Sequence, residues 1–154
     1  MIGRLGTGIL IATLLCGCAT AKPARPQPAP QPAPTGTDCK LKQSSNDVLS
    51  LKQLPANIRD ALLKQAGGGM ADRGEFFNAT DVVMKPAPFN RFIRAGQTHG
   101  GWYAWYEHGG IAYWQQIVLF RIDPPGKVVV AASVIARNQG LCEATDALFD
   151  GKTP

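Results

Sequence analysis

The tripeptide His-Gly-Gly occurs twice, at His99 and His108, and these imidazoles are the groups in the chain best suited by type to hold a metal ion or move a proton, the second beside Glu107. Their spacing argues against both roles. The stretch between them, Trp102 to Glu107, reads as one strand, and at about 3.3 Å per residue the two rings stand roughly 30 Å apart. Glu107 and His108 are sequence neighbours, so along a strand their side chains point to opposite faces. Other chemistry is equally poorly served. There is no Gly-x-Ser-x-Gly elbow and no spaced carboxylate pair, and Asp72, Glu75 and Asp81 lack calcium-loop spacing. Gly67 to Gly69 trails a helical pattern with no Lys-Ser/Thr pair after it, which suits a helix stop better than a phosphate cradle. Cys39 and Cys142 have no Cys or His partner at metal-ligand spacing. The expectation is a binding protein: no enzyme activity, no cofactor, no metal.

Charge narrows the partners. With 16 Lys and Arg against 11 Asp and Glu the formal net charge is +5, scattered along the chain without a basic stripe or a nucleic-acid motif, so no nucleic-acid partner is expected.

The elements that position these residues follow from periodicity. Leu51, Leu54, Ile58 and Leu62 recur at helical steps, Pro55 suits a first turn, and the triple glycine follows, which predicts one amphipathic helix over Pro55 to Ala66. Beyond it the aromatic and β-branched runs Asp81 to Met84, Phe89 to Gln97, Trp102 to Glu107, Ile111 to Ile122 and Lys127 to Ala136 predict strands, the last four as an antiparallel meander. Gly109-Gly110 and Gly100-Gly101, taken as two-residue turns, set Trp105 opposite Trp114 and Arg94 opposite Glu107. That register puts Trp102, Tyr106, Tyr113, Ile117 and Leu119 on one face, and Tyr103, Trp105, Trp114, Val118 and Phe120 on the other. The fold class expected is α+β: one main N-terminal helix packed on an antiparallel β-meander of four to five strands. Both sheet faces are apolar and one short helix covers only one. Either the segment from Cys39 to Leu51 shields the other, or aromatics are left for a partner.

The N-terminus decides location. Arg4, an apolar run from Gly8 to Leu15 and small residues after it have the layout of an export signal, too short to span a bilayer. The run Leu15-Cys16-Gly17-Cys18 then resembles the lipobox of bacterial lipoprotein precursors. The resemblance covers the first eighteen residues and implies that Cys18 is lipidated, that residues 1–17 are removed, and that acyl chains hold the protein in a membrane. Because Ala19 rather than Asp follows the cysteine, it also implies outer-membrane sorting in a two-membrane host, with the domain facing the periplasm. Of the 4 cysteines, Cys16 would leave with the signal and Cys18 carry lipid, so Cys39 and Cys142 remain as an even pair, expected as one disulfide in an oxidising compartment. The run from Lys22 to Pro34 reads as a polyproline II spacer reaching roughly 40 Å at about 3.1 Å per residue. The expected organisation is thus signal peptide 1–17, lipidated cysteine and Pro-rich linker 18–37, and a single domain 38–154.

These features lead to a membrane-anchored lipoprotein that binds a protein in the periplasm, as an inhibitor or immunity-type factor against an envelope-targeting hydrolase or toxin. His99, Trp102, Tyr103, Trp105, Glu107, His108 and Trp114 are the expected partner-binding residues, presented at the His-Gly-Gly turns. Two other readings stay open: a scaffold subunit of an envelope assembly or secretion machine, and a glycan or small-molecule module stacking its ligand on Trp105, Trp114 or Tyr103.

Overall fold

A computed structural model describes residues 34, 36–43, 46–137 and 139–152. The export signal, Cys16, Cys18 and the spacer up to residue 33 lie outside these residues. Strands β3 (Asn90–Thr98), β4 (Gly101–His108), β5 (Trp114–Asp123) and β6 (Lys127–Ala136) form an antiparallel meander. Two short strands share the outer edge of β3: β1 (Asn46–Val48) runs antiparallel to its C-terminal half, and β2 (Met70–Ala71) runs parallel to its start. Helix α1 covers Ala56–Gln65 and α2 covers Leu141–Phe149.

A mostly antiparallel 6-stranded sheet with a helix on each face replaces the expected single main helix on four to five strands. On one face Ile58 and Leu62 of α1, with Leu54 before it, pack on Phe92, Trp102, Ala104, Tyr106, Val118 and Phe120. Each fully buried aliphatic side chain contributes about 2 kcal/mol there. The other face carries Ile93, Tyr103, Trp105, Ile117 and Leu119 beneath Leu141, Cys142 and Ala144 of α2, with Cys39 and Leu41 beside them. The 81–84 segment is no strand but part of the loop between β2 and β3, where Asn78 bonds to Met84 N and Ala87 O in place of a ladder.

The register differs from expectation for a physical reason. His108 stands opposite Trp114, so the β4–β5 connection spans residues 109–113 instead of two glycines. The shift is an odd number of residues, which turns β5 over: Val118 and Phe120 lie with Trp102 and Tyr106, while Ile117 and Leu119 lie with Tyr103 and Trp105. In β3 a bulge at Ile93 changes the register again, so Glu107 meets Arg91, and Arg94 meets Trp105.

The second face is closed by the two ends of the described chain. Cys39 and Cys142 are disulfide-bonded across a sequence separation of 103. Beside the bond, the buried Arg94 has all sides of its guanidinium engaged: Nε donates to the Tyr103 hydroxyl (2.8 Å), one terminal nitrogen donates to the Cys39 carbonyl (2.8 Å), and the other pairs with Asp47 (2.9 Å). The guanidinium also lies 4.7 Å over the Trp105 ring, and Trp105 Nε1 donates to Thr145 of α2 (2.9 Å). Gly96 makes room for this cluster, since a Cβ there would lie 2.6 Å from an Asp47 carboxylate oxygen and 2.7 Å from the Tyr103 ring. Lys42 N donates to Asp146 (3.0 Å), tying the incoming segment to α2 a second time.

Replacing Cys39 and Cys142 together by serine removes a cross-link worth about 5 kcal/mol in the chain-entropy model. Urea unfolding of the double variant should show a loss of that order, and a loss under about 1 kcal/mol would contradict this account of how the second face is closed.

Candidate functional site

At the end of the sheet where β3 starts, β4 stops and β5 starts, three rings from these elements stack. His108 and Trp114, opposite each other in the ladder, have ring centroids 4.0 Å apart at 22°, and Phe89 lies 6.4 Å from His108 on its other side. The side chain of Asn90 fixes the imidazole. Its Nδ2 donates to the carbonyl of Ala66 at the end of α1 (2.9 Å), so its Oδ1 faces His108 Nδ1 at 2.7 Å and can only accept. The proton therefore sits on Nδ1. Burial pushes the His108 pKa down from its ordinary value, which keeps the stack neutral around pH 7.

On the other face of the same strand end lies a buried ion pair. Glu107, 2% exposed, accepts from Arg91 Nε at 2.5 Å through one oxygen and from the Tyr113 hydroxyl at 2.7 Å through the other. The Arg91 guanidinium sits 4.5 Å over the Phe77 ring and reaches the Glu75 carbonyl. Two buried charges survive desolvation because their remaining hydrogen-bonding positions are filled in this way. Tyr113 thus has its hydroxyl anchored inward while its ring stays half exposed, and it pins the end of the 109–113 loop.

A second loop is locked to the first. Gly109 passes so close to residues 78–79 that a Cβ on it would lie 2.0 Å from the Asn78 carbonyl oxygen, and Gly109 N donates to Phe89 O (2.8 Å). The buried Asn78 organises the loop that follows it, donating from Nδ2 to Ala87 O (2.6 Å) and accepting from Met84 N (2.7 Å). What these bonds hold out to solvent is apolar: Ile111 is 98% exposed and Val82 68%, and Val83, Met84, Phe89 and Tyr113 are exposed beside them in sequence. Isolated exposed apolar residues are ordinary, but here six fall on the two interlocked loops at one end of the sheet.

The expected partner-binding residues divide. His108 and Trp114 are stacked at this end, and Glu107 lies on the other face of the same strand end, paired with Arg91 and Tyr113. Trp102, Tyr103, Trp105 and Glu107 are buried, because β4 is covered on both faces. His99 is exposed in the tight turn at the opposite end of β4, remote from His108. Among the described residues no group of three or more His, Cys, Asp and Glu side chains is arranged to hold a metal ion. The residues missed were Ile111, Val82 and Met84, because β-branched runs flanked by turns read as strands; the signal available was Ile111 directly after Gly109-Gly110, a hydrophobe placed on a loop.

Burial and the hydrogen bond to Glu107 push the Tyr113 phenol up to about 12. The folded state therefore holds this proton more tightly than the unfolded chain. The bond stabilises the fold in full below pH about 10 and is lost as the pH rises towards about 12. Ultraviolet titration should show one tyrosine ionising near 12 that disappears in Tyr113→Phe, and that variant should lose about 1 kcal/mol at neutral pH because one Glu107 oxygen is left without its donor. Comparison with known proteins adds no relative: no family model, no curated protein and no solved structure matches the chain.

Proposed function

We propose that this chain is an envelope lipoprotein that binds a protein partner through the apolar tip formed by loops 78–89 and 109–113, acting as an inhibitor or immunity-type factor against an envelope-targeting hydrolase or toxin. The single observation that carries the reading is Ile111, an aliphatic side chain 98% exposed on a loop whose backbone is fixed by the Tyr113–Glu107 and Gly109–Phe89 bonds. A rigid apolar knob costs little ordering entropy when it enters a cleft, which is how inhibitors of standard interface size reach high affinity. The lipobox resemblance and the proline-rich run support anchoring in the outer membrane with the domain carried off its surface. The glycan reading loses its platforms, since Tyr103 and Trp105 are fully buried and one side of Trp114 is covered by His108.

The test compares the full disulfide-closed chain with Ile111→Asp and His99→Asp as baits in envelope extract of the host. A partner specific to the tip is retained by His99→Asp and weakened about thirtyfold or more by Ile111→Asp, as for a hot-spot residue. Ile111→Asp should unfold within about 0.5 kcal/mol of the parent, because its side chain has nothing to lose on the surface. Equal capture by all three baits would contradict the proposal, and inhibition of the captured hydrolase by the parent alone would establish the inhibitor role.

A further inference from the structure

The sheet has two edges, and they are treated differently. The outer edge of β3 is occupied at both ends, by β1 and β2. The outer edge of β6 pairs with no strand among the described residues. An open edge usually carries a proline or an inward charge that discourages pairing, yet from Val128 to Ala136 β6 has neither. Its one irregularity is the bulge at Ala131, where the register against β5 shifts. The bulge divides the strand into two regular halves of opposite side-chain parity, Lys127–Val130 and Ala132–Ala136.

At that end the strand borders an open groove of about 630 Å³ lined by Ser133, Ile135, Ala136, Arg137 and Gln139 and floored by the buried Gln116. Arg137 is the charged residue of this lining, and it is exposed. Lys127 stands at the other end of β6, and no acidic residue lies between them. A second copy pairing antiparallel along the whole edge would bring Lys127 of one chain to Arg137 of the other at both ends, a like-charge contact that disfavours it. A strand bearing a carboxylate meets the opposite situation.

We propose that β6 is a strand-addition site, beyond and independent of the apolar tip. Its occupant is an extended segment of a partner protein that pairs with Ala132–Ala136 through main-chain hydrogen bonds and sets an acidic side chain or terminal carboxylate against Arg137. The open main-chain groups supply affinity for any extended chain, and Arg137 supplies the preference in charge.

The experiment titrates the full disulfide-closed chain, isotopically labelled, with two acetylated, amidated peptides of alternating threonine and valine, one ending in Asp and one in Lys, and with an Asp peptide N-methylated at alternate residues. The expected result is amide shift changes confined to β6 and the 137–140 segment, with the Asp peptide favoured about threefold over the Lys peptide. Arg137→Glu should reverse that order, and N-methylation should abolish binding. Ile111→Asp should leave peptide binding intact, so failure of the tip reading would not be mistaken for failure of this one. The proposal is overturned if neither peptide shifts β6, if N-methylation has no effect, if the charge order survives Arg137→Glu, or if sedimentation shows the free chain to dimerise through β6.

Discussion

A sheet whose strands carry large apolar side chains in both directions has to be covered twice. β4 alternates Trp102, Ala104 and Tyr106 on one side with Tyr103 and Trp105 on the other, and all are buried. The first side is covered by α1, which precedes the meander in the chain. The second is covered by two segments from opposite ends, the residues around Cys39 and Leu41 and the helix α2, and neither is long enough to do it alone. The disulfide follows from that requirement. So does the placement of Arg94, whose donors reach β1, β4 and the Cys39 carbonyl at once, and which satisfies polar groups that the closing segments would otherwise bury unpaired.

The bulge at Ile93 links this closure to the tip. Because Ile93 is an extra residue against β4, Arg91 and Arg94 lie on the same face although three positions apart. Arg94 serves the middle of the sheet and Arg91 serves its end, where Glu107 and Tyr113 complete a buried network. The exposed loop is thereby anchored to the core by a side chain whose hydroxyl is inside and whose ring is outside. A loop held this way is preorganised, and the proposed contact with a partner would spend no binding energy on ordering it.

Much of the framework was legible in the sequence. The α1 periodicity, the meander runs and the pairing of the two remaining cysteines each rest on a local or arithmetical signal, and the helix at Ala56–Gln65 and the Cys39–Cys142 bond are present in the structure. The second helix was legible but not read: Leu141, Ala144, Thr145 and Leu148 have helical spacing, yet the segment is short, starts after Gly140 and lacks a side-chain cap. The register was not legible. Gly109-Gly110 has the composition of a two-residue turn, and only the close approach of Asn78 to Gly109 and the bond from Tyr113 to Glu107 make the longer loop the stable one. The first joins residues distant in sequence and the second ties a loop residue back to the strand before it, neither of which periodicity encodes. The same limit hid the exposure of Ile111, which reads as the start of a strand until the register moves it onto a loop.

Under the proposed function the tip around Ile111, and not the opposite end of β4, meets a protein partner. A photo-crosslinking amino acid placed at residue 111, and in a separate strain at residue 99, tests it directly in living cells of the host. The expected result is one discrete crosslinked partner from residue 111 and none from residue 99. Crosslinking from residue 99 with none from residue 111 would contradict it.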